Sequence, residues 1–185
     1  MAKQFDSLSD QLTGFIARQH IFFTATAAPT GRVNISPRPT TCLKVLGPND
    51  IAYLDRTGSG NETAAHLRQL NRMTIMFCAV DGPPNILRLY GRGEILPRGG
   101  EAYHALLASA FDGDEPNGAR QIVRMDIEMA QTSCGYGVPL FDYQGERASI
   151  DNWTNAKTEE ELEAYRREKN AVGIDGFPSG MFKGR

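Results

Sequence analysis

The sequence predicts a mainly β fold, an antiparallel barrel with peripheral helices. Two observations carry this expectation. β-prone runs outnumber helical segments, and a single segment has the strand–loop–helix–strand order of a βαβ unit. A doubly wound sheet needs several such units.

Taken in order, Phe5, Leu8, Leu12 and Ile16 recur at intervals of three and four, which places an amphipathic helix over roughly residues 5–19. IFFTATAAPTGRVNIS follows, two β-prone runs around Pro29-Thr30-Gly31, and reads as a hairpin. IAYLD (51–55) is a short apolar strand behind the turn signal Gly47-Pro48-Asn49-Asp50. It leads through RTGSG into NETAAHLRQL, which has helical character. MTIMFCAV (73–80) is nearly all apolar and predicts a buried strand, with Cys78 in the core. ILRLYGRGEIL (86–96) is a long strand in which Gly91 and Gly93 permit a bend or bulge. Tyr103, Leu106, Leu107 and Phe111 mark another helix, DGDEPNG a loop, and RQIVRMDIEMAQ (120–131) a half-buried strand. Thr158 and Glu161 have capping-box spacing, so a helix near 158–169 precedes a Gly-rich tail. The expected organisation is one domain over 1–185, with the barrel in about 20–135 and the C-terminal helix and tail in about 140–185.

Composition narrows the function classes. Apolar residues make up 41% and charged residues 23%, as in an ordinary globular protein. Twenty basic residues against twenty-two acidic ones give a formal charge of −2, so no basic face for nucleic acid is expected. The polar start MAKQFDSLSDQ has no apolar signal core, and no run approaches the ~20 residues of a membrane span. Cys42, Cys78 and Cys134 are widely spaced and odd in number, which fits neither zinc nor a disulfide framework; a reducing cytoplasm is the expected compartment.

The most informative stretch is YLDRTGSGNETAAHL (53–67). A strand ends, Gly58, Ser59 and Gly60 follow, and a helix opens near Asn61. Helix starts present unpaired N–H groups and partial positive charge, which suits a phosphate. Ser59, Asn61 and Thr63 would add side-chain donors. Simple capping by Ser59 or Asn61 selects the same residues. The stretch is neither a P-loop nor a complete GxGxxG fingerprint, so a nucleotide-binding fold built on it lacks support. On its own it marks an anion site on a β-rich domain.

The succession GRVNISPRP, IAYLD, TGSGNETAAHLRQLNRMTIMF and LRLYGRGEI resembles the pyridoxamine 5′-phosphate oxidase-like proteins, and more narrowly a bacterial branch with QTSCGYGVP, a KN pair (169–170) and IDGFP (174–178). That resemblance implies a six-stranded antiparallel split barrel that binds FMN at the interface of a homodimer. It places the flavin-lining strand on Ser36, Pro37 and Arg38, with Thr41 beyond. The phosphate-binding stretch falls on Asn61, Glu62 and Thr63, with Ser59 and Gly60 in the loop before it and Arg88 on the next flavin-side strand. Glu62 should then point away from the phosphate, toward solvent or the helix dipole. The arginine-and-histidine motif that ends the true oxidases has no counterpart in GFPSGMFKGR, so pyridoxamine phosphate oxidation is not implied.

The expected activity is therefore FMN-dependent oxidoreduction of an unidentified small molecule, with no catalytic side chain named. The alternative is a non-catalytic binding protein, or one for haem or a deazaflavin. His66 and His104 lack a second ligand at metal spacing, and no metal is expected. His20 reads as the end of the first helix, and Cys134 as a buried structural cysteine.

Overall fold

A computed structural model describes residues 2–182. The elements run β1 (Lys3–Phe5), α1 (Asp10–Ala17), β2 (Ile21–Thr26), β3 (Asn34–Pro39), β4 (Leu43–Gly47), β5 (Asp50–Arg56), α2 (Glu62–Gln69), β6 (Arg72–Cys78), β7 (Ile86–Pro97), α3 (Glu101–Ala110), β8 (Ala119–Ser133), α4 (Ser149–Asn155) and α5 (Glu159–Lys169). All strand pairings are antiparallel, in an eight-stranded sheet of order β3-β2-β6-β7-β8-β5-β4, with β1 on β8.

Every β-prone run is a strand, and β1 and β4 are added to them. The first helix is shorter than its periodicity suggested. Phe5 pairs with Ala130 in the sheet, and the Ser9 side chain caps α1 by accepting from Leu12 N–H. β4 carries no clear strand signal, because LKVLG is a short edge segment without clean alternation. The capping box before α5 is formed on both sides, Thr158 N–H to Glu161 and Glu161 N–H to the Thr158 hydroxyl.

The sheet curls around a core centred on Phe22, which lies 5.6 Å from the Tyr53 ring and 5.9 Å from the Phe77 ring. The near-continuous apolar run of β5 follows from burial on both faces. Ile51 and Tyr53 join the barrel core, while Ala52 and Leu54 pack with Tyr103 and Leu107 of α3 and with Phe111 at its C-cap. Gly91 sits at a bulge of β7 and lies so close to the Asp126 carbonyl that no Cβ would fit.

β3 and β4 are consecutive in the chain, joined by a 3₁₀ turn at Thr40–Cys42, yet they do not pair. The split of the barrel lies between them. One side chain bridges it: Arg38 of β3 stacks 4.6 Å over the Tyr53 ring and donates to Asp55, both on β5. Among the described residues no helix is long and apolar enough to cross a membrane.

Candidate functional site

The site begins where β5 ends. Thr57 N–H and hydroxyl both donate to the Gly118 carbonyl, at 2.7 and 2.9 Å. The Gly58 carbonyl accepts from Asn170, and the Gly60 carbonyl from Arg120. With the Gly58 and Gly60 carbonyls tied into the protein, the first turn of α2 follows with N–H groups that have no partner within the helix.

Below the loop lies a buried polar network. Asp55 is fully buried and accepts from Arg38 Nη1 (2.5 Å), Arg120 Nε (2.8 Å) and Gln121 Nε2 (2.7 Å). Burial alone would raise its carboxyl, but Arg120 and Arg38 outweigh it and hold the pKa at about 2. Burial by itself would lower the Arg38 pKa, yet Asp55 keeps the guanidinium charged, its pKa raised above the ordinary value. Two guanidiniums against one carboxylate leave the network with one net positive charge.

Gln121 Nε2 also donates to Asn61 Oδ1 at 2.9 Å, which joins the network to the start of α2. Asn61 occupies the N-cap position, yet its side chain makes no capping bond. Asn61 Nδ2 and Arg38 Nε are buried donors without a partner among the described residues. Such orphans are uncommon, because each carries an uncompensated desolvation cost. Both lack an acceptor.

The neighbouring groups have other duties. Thr63 is 3% exposed, and its hydroxyl accepts from Asn34 Nδ2, which also donates to Thr26. Ser36 donates to Asn34 Oδ1. These side chains lock α2 against the β2–β3 hairpin. The Glu62 carboxylate, expected to point to solvent or the dipole, instead accepts from Ile174 N–H and pins the C-terminal tail. His66 is buried, with Nδ1 bonded to Thr26, and no metal-binding group of three ligands occurs among the described residues.

Beside the network, a cleft of about 910 Å³ opens at the edge formed by β3. Pro37 and Phe23 form its apolar floor, with Arg38 and Thr41 at the rim. Its other wall is the irregular segment 138–147, held by Phe141 N–H to the Val80 carbonyl and by Tyr143, which stacks on His20 at 3.7 Å. His20 thus lies beyond α1 and belongs to the cleft, 3.7 Å from Asp81. Cys78 is half-buried and lines the cleft, because the alternation of β6 turns it outward. Cys134 is exposed; its Gly-rich loop lies outside the core. Burial pushes the Cys42 thiol up to about 12, so it is no nucleophile at neutral pH.

The structure therefore brings together Arg38 and Asn61 through Asp55 and Gln121, with Pro37 and Thr41 beside Arg38, and Ser59 and Gly60 in the adjoining loop. Ser36 and Thr63 sit behind them in the hairpin contact. Arg88 is not in this group. It faces outward on β7, donates to Ser133, and stands in register with Met76, Phe23 and Pro37, three strand spacings or ~14 Å from β3.

The model of the family described as pyridoxamine 5′-phosphate oxidase matches residues 8–134. A pyridoxamine 5′-phosphate oxidase family protein of Aspergillus flavus, ustO, is 36% identical over 195 residues, covering 94% of this chain and 76% of that protein. Among solved structures, the chain is similar to a Lactobacillus delbrueckii protein provisionally named a pyridoxamine 5′-phosphate oxidase (TM-score 0.54, 16% identity, 68% of this chain and 94% of that one). It is also similar to HupZ of Group A Streptococcus (TM-score 0.51, 18% identity, 66% and 91%). At those identities the structures speak for the split-barrel fold alone. The family match covers well over half of the chain, and on that ground the protein belongs to the pyridoxamine 5′-phosphate oxidase family.

Proposed function

We propose that the protein binds one FMN per chain and uses it as an oxidoreductase on a small molecule. The observation that carries this reading is the pair of buried, acceptor-less donors, Arg38 Nε and Asn61 Nδ2, around a network with one net positive charge at the start of α2. A phosphate supplies acceptor oxygens and negative charge, and helix-start N–H groups add to its binding. The adjoining cleft, about 910 Å³ with an apolar floor, falls in the range of cofactor sites. Arg38, Asn61 and the Ser59–Gly60 loop would hold the phosphate, with Pro37 and Phe23 against the apolar part. A flavin bound there supplies the hydride and electron transfer, while the protein binds, orients and excludes water.

The same reading includes a homodimer. Val33 just before β3 and Ile35 on its outer side are 68% and 65% exposed, and Leu140 and Phe141 of the segment beside the cleft are 75% and 62% exposed. Exposed apolar side chains at these positions support a reading of this face as the subunit interface. Arg88 on the outer sheet face is then positioned for a partner's site, which native mass spectrometry of the intact assembly tests.

A second reading has one observation behind it: His20 is the imidazole lining the cleft, and haem takes such a ligand. The buried donors at the opposite end favour the phosphate.

The test separates ligand from cap. Asn61→Ala should weaken FMN binding roughly tenfold or more, as ~1.4 kcal/mol implies, and cost apo-protein stability about 1 kcal/mol, since Asn61 makes no side-chain cap and loses only the Gln121 bond. Thr63→Ala should lower apo-protein stability first, because its hydroxyl serves the hairpin. FMN titrations and urea melts on both variants check this. Normal FMN affinity in Asn61→Ala would remove the phosphate from this loop.

A further inference from the structure

Asp55 links the cleft to a second cavity. One carboxylate oxygen accepts from Arg38, which lines the cleft, and the other from Arg120, which lines a cavity of about 380 Å³ between β7, β8, α5 and the C-terminal tail. The walls of this cavity combine apolar side chains (Ile95, Pro97, Met181 and Phe182) with guanidinium groups.

Most of those guanidiniums have a carboxylate within ion-pair distance, though Asp55 and Glu159 are each shared by two arginines. Arg120 is paired with Asp55, Arg98 with Glu115, and Arg166 with Glu159. Glu163, also on the wall, pairs with Arg167 outside it, and Arg167 stacks 4.4 Å over the Phe182 ring. Arg68 also lines the cavity and has no carboxylate within ion-pair distance among the described residues. Its guanidinium rests against Gly180, at φ +76°, where a Cβ would collide with it. Glycine there admits Arg68 to the cavity wall.

We propose that this cavity binds a small carboxylic acid with a flat apolar body, as a site separate from the FMN site. One uncompensated, planar guanidinium matches one carboxylate bidentately. The apolar walls suit a ring.

Benzoate and benzamide share shape and differ in charge, so the pair reads the proposal directly. Both are titrated into the purified protein by ligand-observed NMR, with and without saturating FMN. Benzoate should bind at least tenfold more tightly than benzamide. Arg68→Gln should abolish the preference while leaving the melting temperature unchanged, since Arg68 is on the surface. Gly180→Ala should weaken benzoate as well, and Asn61→Ala should leave it unaltered. Equal binding of the two probes, a preference that survives in Arg68→Gln, or displacement of benzoate by FMN would each overturn the proposal.

Discussion

Asp55→Ala is expected to destabilise the protein by about 3–5 kcal/mol, a large share of the 5–15 kcal/mol that holds a typical domain together. The carboxylate is fully buried and is the shared acceptor of Arg38, Arg120 and Gln121. Its removal leaves the Arg38 and Arg120 guanidiniums without their shared counter-charge and cuts an ion pair between β3 and β5 across the split. The same group gives an acid signature. Its folded carboxyl lies at about 2, below the ordinary 3.8, so its contribution is complete above pH ~3.8 and is lost as pH falls through about 2. Urea melts at several pH values read both effects. In Asp55→Asn the overall stability should fall, and this segment of the acid limb should be missing. A loss below 1 kcal/mol in Asp55→Ala would mean that the network does not hold the split together.

Arg38→Met should weaken FMN binding by roughly 10- to 150-fold, the 1.5–3 kcal/mol of a hydrogen bond to a charged group, and riboflavin far less. Methionine keeps the apolar stem that crosses the split and removes the charge. The substitution also takes one donor from Asp55, but Arg120 and Gln121 remain, so a smaller stability loss of about 2 kcal/mol is expected. Calorimetric titration of the two flavins into the same variant separates phosphate recognition from ring binding. Equal weakening of both would place Arg38 against the ring or in a purely structural role.

The fold was legible because its strands are long and patterned. β7 alternates buried and half-buried residues from Ile86 to Gly91, and its glycine at the bulge stands out in LRLYGRG. The loop after β5 was legible for its glycines and its position before a helix. The network beneath it was not. Asp55 closes the apolar run IAYLD and reads as the polar end of a strand, whereas it is as buried as the residues before it. An ionisable residue at the end of such a run was the available signal. Its partners Arg120 and Gln121 stand more than sixty positions away, and only the β5–β8 register, with Asp55 opposite Gln121, brings them together. Arg38 and Pro37 are neighbours in sequence and point to opposite faces, so of two adjacent candidates one enters the network from the cleft rim and the other lies on the cleft floor. Glu62 could not be placed without the tail, which lies 112 positions on.

The central claim is a phosphate-bearing flavin at the start of α2, and native mass spectrometry tests it most directly. The purified protein is incubated with equal concentrations of FMN, riboflavin and haem, then transferred to volatile buffer and weighed intact. The account predicts two chains carrying two FMN, with riboflavin and haem left behind. Retention of haem in place of FMN, indifference between FMN and riboflavin, or a single chain with its flavin fully bound would contradict it.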